Sequence, residues 1–86
     1  MLQSSLNPYE FFEEALHAAE PIVVHLQNGR RVTGILRAYD RHINLVFATA
    51  REAWVECGME FTRERQGFML RGDTVLFVTK ASRESK

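Results

Sequence analysis

The sequence is short of several things, and each shortage excludes something. It has one cysteine, Cys57, in 86 residues. A single cysteine closes no internal disulfide, so the fold does not rest on oxidation and suits a reducing compartment. Net charge is missing too, since 11 Lys plus Arg balance 11 Asp plus Glu. No overall field then draws the chain to nucleic acid or to a membrane, and any such site must be local or shared between chains. No apolar run approaches the length of a membrane-spanning helix, so no membrane partner is expected. The opening "MLQSSLNPYE" lacks a basic region followed by an apolar block, and a secretory leader is not expected. Repeats and low-complexity tracts are absent. So are the parts of an enzyme: no nucleophile–base pair, metal set or phosphate loop stands out, and Asp40 with His42 lacks a third partner. The expectation is a non-catalytic protein without cofactor or metal.

What is present suits one small domain over 1–80, followed by the polar tail 81–86, "ASRESK". The chain is 45% hydrophobic, enough to build a core and too much for a disordered protein. "NPYEFFEEALHAAE" predicts a helix from about Pro8 to Ala19. Asn7 is a good N-cap, Pro8 falls where its missing N–H costs nothing, and Glu10, Glu13 and Glu14 favour the positive end of the helix dipole. Phe11, Phe12, Ala15, Leu16 and Ala19 form one apolar stripe. Pro21 ends the helix.

Strand patterns follow. "PIVVHLQ" alternates, and Asn28-Gly29 after it tolerates positive φ and signals a hairpin. "RRVTGILRAYD" returns, with Gly34 marking a bend. "INLVFATAREAWVEC" reads as a long third strand that includes Cys57 as an inert residue. "GMEFTRERQG" is polar with a glycine near each end and reads as a hairpin loop. "FMLRG" and "DTVLFVTK" are the fourth and fifth strands. Short connections imply an antiparallel meander. The expected fold is mainly β: an N-terminal helix, then a strongly bent five-stranded antiparallel sheet forming a small open barrel, with the helix over one end.

Two turns carry more polar groups than a turn needs. They are "DRHIN", Asp40 to Asn44, and "RGD", Arg71 to Asp73. Alternate turns of a meander share an end, so these two can meet. His42 and Arg71 are planar and cation-capable, and a nucleobase can stack between such groups. Asn44 carries a donor and an acceptor together and can read a base edge. Asp40 and Asp73 can orient Asn44 and Arg71. Taken singly, each turn is ordinary turn chemistry. Taken together, they suggest a pocket for one unstacked base.

These residues resemble the Sm and Sm-like proteins. The likeness rests on "VVHLQNGRRVTGILRAYDRHINLVFATARE", Val23 to Glu52, and on "FMLRGDTVLFV", Phe68 to Val78. It extends over the helix and so over nearly the whole chain. The resemblance implies the bent five-stranded sheet and rings of seven subunits on uridine-rich RNA. By family pattern, His42 stacks, Asn44 reads the base edge and Arg71 stacks or faces phosphate. Gly72 keeps the turn open for the RNA. Asp40, Arg41 and Asp73 complete the expected RNA-binding set, with Arg41 facing either phosphate or solvent.

"REAWVE", "FMLRGDTV" and the "DRH" of the first turn are most similar to the spliceosomal side of the family. The long lysine-rich insertion found there between strands three and four is missing, though Arg63 and Arg65 could contact RNA backbone instead. The resemblance thus implies a subunit of the ring on uridine-rich small nuclear RNA in pre-mRNA splicing. Its partners would be paralogous Sm subunits joined by strand-edge pairing, in the nucleus after cytoplasmic assembly. The alternatives are a third-subunit type of Sm-like ring in RNA decay or on 3′-terminal oligouridine, and a scaffold with a vestigial pocket.

Other residues read more plainly. A lone Trp54 in a strand is core or half-core. His17 and His25 are boundary residues. Arg30, Arg31 and Arg37 form a solvated face, inter-subunit ion pairs or a path for RNA leaving the ring.

Overall fold

The computed structural model describes residues 7–81. Helix α1 spans Pro8–Ala18. Asn7 caps it, its side-chain oxygen accepting from the Glu10 N–H at 2.9 Å. Ala19 closes it in the left-handed region at φ 54°, its N–H turned back on the Ala15 and Leu16 carbonyls. Pro21 then opens the first strand.

Five strands follow: β1 (Pro21–Leu26), β2 (Arg31–Tyr39), β3 (Leu45–Glu56), β4 (Met59–Leu70) and β5 (Val75–Lys80). They form one antiparallel sheet in the order β4-β3-β2-β1-β5. The sheet does not close, so β4 and β5 are its two edges. It bends sharply where β2 crosses β3. A Cβ on Gly34 would lie 2.3 Å from the Thr49 carbonyl oxygen, so only glycine lets the strands approach this closely. Register shifts at Ile35/Leu36 and Leu36/Ala38 add to the bend.

The bend wraps an apolar core of Ile22, Val24, Val32, Leu36, Leu45 and Phe47. Full burial of each such side chain contributes about 1.5–3 kcal/mol. Helix α1 covers this core with Phe12 and Ala15, and Phe12 packs on Tyr39 with ring centroids 5.4 Å apart. The helix is thereby fixed beside the end of β2, next to the first polar turn.

The expected hairpin loop "GMEFTRERQG" is instead most of β4. The turn is only two residues, Cys57 and Gly58, with φ of 52° and 77°. Positive φ at both positions is the hairpin geometry that matches strand twist. Cys57 therefore sits exposed in a turn rather than in a strand. The misread segment shows no apolar alternation because both its faces are largely exposed. Ion pairs hold it, one to the adjacent β3, Arg51–Glu64 at 2.7 Å, and one across β3 to β2, Arg31–Glu60 at 2.6 Å.

Candidate nucleic-acid interface

The β2–β3 turn is built around one carboxylate. Asp40 Oδ1 accepts from the backbone N–H of His42 at 2.8 Å and of Asn44 at 3.1 Å. Its Oδ2 accepts from the Asn44 side-chain Nδ2 at 3.0 Å. The Asn44 amide, more than any other contact, holds the Asp40 carboxyl below its ordinary value of 3.8, although burial opposes this. The turn carries a cost. Ile43 has φ 64°, which a β-branched residue rarely adopts. It is fixed there by its N–H bond to the Asp40 carbonyl at 3.0 Å and by packing against the core.

The β4–β5 turn meets it. After Arg71 the chain makes one 3-10 turn, Gly72–Thr74, tied by the Thr74 hydroxyl donating to the Arg71 carbonyl at 2.7 Å. The Gly72 N–H donates to Asn44 Oδ1 at 2.7 Å. A Cβ on Gly72 would stand 1.9 Å from the His42 carbonyl oxygen, so the glycine is required by contact with the other turn. Asp73 holds Arg71 through a 2.8 Å ion pair.

Both turns thus share one end, and together they wall an open depression of ≈590 Å³. Its lining includes His42, Asn44, Met69, Arg71, Gly72 and Asp73. The Asn44 amide cannot flip: its oxygen faces Gly72 N–H and its nitrogen faces Asp40. One N–H and one oxygen lone pair remain for a ligand. A planar donor–acceptor pair beside an imidazole and a guanidinium suits a single unstacked base.

Of the seven residues expected from the sequence, six fall at this junction. Arg41 does not. Its carbonyl accepts from the Tyr9 hydroxyl at 2.9 Å, and the residue lines a separate groove with Tyr9, Arg37 and Tyr39. Met69 was missed because "FMLRG" reads as plain strand. The strain at Ile43 left no signal in the sequence at all. Arg63 and Arg65, offered by the sequence as RNA-backbone contacts, do not line the depression; they lie on β4 over the rings of Trp54 and Phe68, at 5.5 and 4.8 Å from the centroids. Arg30 also lies over the ring of half-buried Trp54, at 4.6 Å, while pairing with buried Glu52 at 2.9 Å. His25 is half-buried against Phe77, and His17 is exposed beside Glu13.

The LSM domain model matches residues 15–80, most of the chain. This chain belongs to the LSM-domain family. Among its relatives, Sm D2 of Saccharomyces cerevisiae is 30% identical over 78 residues, covering 86% of this chain and 71% of that one. A putative snRNP Sm-like protein of Archaeoglobus fulgidus is 43% identical over 61 residues, covering 71% and 75%. In three dimensions the LSM fold here matches a Pyrococcus abyssii Sm protein solved in complex with a uridine heptamer. Its TM-score is 0.72 and its identity 26%, over 88% of this chain and all of that one. A heptameric archaeal Sm protein matches with TM-score 0.67 and 26% identity, over 84% and 97%.

Proposed function

We propose that this LSM-domain chain is a non-catalytic RNA-binding subunit of a ring, holding one uridine per subunit at the junction of its two polar turns. One observation carries the reading: the Asn44 amide is locked between Asp40 and Gly72 with one donor and one acceptor left over. In this reading Asn44 reads the base edge, His42 and Arg71 stack on its faces, and Asp40 and Asp73 orient them. The likeness to a protein solved with a uridine heptamer supports the ligand. Ring closure would use the edges, with β5 of one subunit pairing along part of β4 of the next. The likeness to a heptameric protein supports a ring of seven.

Filter binding of oligouridine to the assembled protein tests this. Binding that is lost on Asn44→Ala while assembly persists supports it. Absence of any oligouridine binding favours a scaffold with a vestigial pocket.

The finer reading is a subunit of the ring on uridine-rich small nuclear RNA, in splicing and in the nucleus after cytoplasmic assembly. Its support is the likeness to Sm D2, which spans more of the chain than the archaeal match. A second reading is favoured by the higher identity to the archaeal Sm-like protein: an Sm-like ring acting outside splicing, in RNA decay or on terminal oligouridine. Co-purified partners separate the two. Paralogous Sm subunits support the first, and Sm-like subunits or copies of this chain support the second.

A further inference from the structure

The two edges of the sheet differ in length. Strand β4 has 12 residues and β5 has 6. Even if a neighbouring copy lays its β5 along β4, half of β4 stays unpaired. We propose that the distal half of this edge, Met59–Glu64, receives an extended segment of a partner protein as an added strand, with apolar side chains alternating with acidic ones.

Each property of the occupant follows from the edge. An unpaired strand offers a regular row of N–H and C=O groups, which an extended peptide matches. Met59 and Phe61 stand on one face of it, 62% and 39% exposed, beside half-buried Trp54. Single exposed apolar residues are common, but a set at alternate positions along a free edge offers pockets for alternate side chains. Arg63 and Arg65 continue the same alternation. Among the described residues neither lies within ion-pair distance of a carboxylate, whereas Arg30, Arg31, Arg51 and Arg71 are all paired. Their guanidiniums rest over Trp54 and Phe68, which fixes the charges before anything binds. On the opposite face, Glu60 and Glu64 are already neutralised by Arg31 and Arg51. Exposed Glu56 stands opposite Met59 on the same face, so the uncompensated positive charge lies toward the Arg63 and Arg65 end of the edge, and it calls for acidic side chains there. An RNA strand would use the arginines but neither the backbone row nor Met59 and Phe61.

The inference goes beyond the base pocket and does not depend on it. The test uses the full chain in its assembled form, labelled at its methionine methyl groups. The probe is a short acetylated peptide of alternating glutamate and valine. The peptide should shift the Met59 methyl and leave Met69 still. The same peptide with alternate backbone amides N-methylated should not bind, since it cannot complete the ladder. Arg63→Glu with Arg65→Glu should weaken the peptide about tenfold while assembly and oligouridine binding stay as they were. The proposal is overturned if the unmodified peptide does not bind, if the N-methylated peptide binds equally well, or if charge reversal changes nothing. It is also overturned if oligouridine, rather than the peptide, moves Met59.

Discussion

The junction of the polar turns and the tip of the β3–β4 hairpin are both exposed, and each has an arginine and a methionine within reach. They are held in opposite ways. At the junction, side chains bond to backbone: Asp40 to the His42 and Asn44 N–H groups, Asn44 to that of Gly72. This fixes the orientation of one amide and keeps Ile43 in a strained conformation. Along the hairpin, side chains meet side chains: Arg30 and Arg63 both lie over the Trp54 ring, and Arg31 pairs with Glu60. This braces the ribbon and leaves the outer backbone of β4 unpaired. The first arrangement is preorganised to read one polar group; the second presents an edge.

Substitutions should separate the two regions, and glycines give the largest contrast. Gly72→Ala drives a Cβ into the His42 carbonyl and should cost about 3 kcal/mol, with loss of oligouridine binding. Gly58→Ala, at the hairpin turn, meets open space and carries only the penalty of positive φ, about 1 kcal/mol. Chemical denaturation of both variants checks this; equal costs would remove the contrast.

His42→Ala with Arg71→Ala comes next. Loss of stacking should weaken oligouridine binding by about 1–3 kcal/mol per base, measured by filter binding under a salt challenge. Arg63→Ala with Arg65→Ala should leave the same binding unchanged. A larger loss from the hairpin pair would move the RNA site to β4.

Asp40→Ala should follow, weakening oligouridine about tenfold through the freed Asn44 amide. The pH dependence has a definite sign. Because the Asp40 carboxyl is depressed in the fold, its contribution is complete above the ordinary carboxylate value and is lost as pH falls through its lowered one. Binding should therefore hold through mildly acidic pH and fail only below the usual carboxylate range. A fall well above that range would remove the Asp40 carboxylate from the account. The smallest effect is expected from Glu60→Ala, which removes an exposed ion pair worth at most about 1 kcal/mol and should not touch RNA binding.

Most of the junction was legible in the sequence because its chemistry is local. Asp40, His42, Asn44 and Arg71-Gly72-Asp73 are short polar runs between apolar ones, and the antiparallel alternation of the strands places both runs at one end, although β5 pairs with β1 and not with β4 as a simple meander would have it. The role of Gly72 was legible only in outline. Its need for glycine comes from the His42 carbonyl, a contact across the fold. The hairpin was legible as a connection between two strands, but the length of its strands was not. β4 is exposed on both faces, so no apolar alternation marks it, and its partners Arg31, Arg51 and Trp54 lie on other strands. Cys57-Gly58 is also a weaker turn signal than Asn28-Gly29. The sequence left Arg41 facing either phosphate or solvent, and the turn places it along the groove beside Tyr9.

Two methionines of nearly equal exposure test the central claim most directly. Met69 lines the depression at the junction and is 63% exposed; Met59 stands on the hairpin and is 62% exposed. A methyl NMR titration of the assembled protein with oligouridine should shift Met69 and leave Met59 in place. A shift at Met59 with Met69 unmoved would contradict the assignment of the base site.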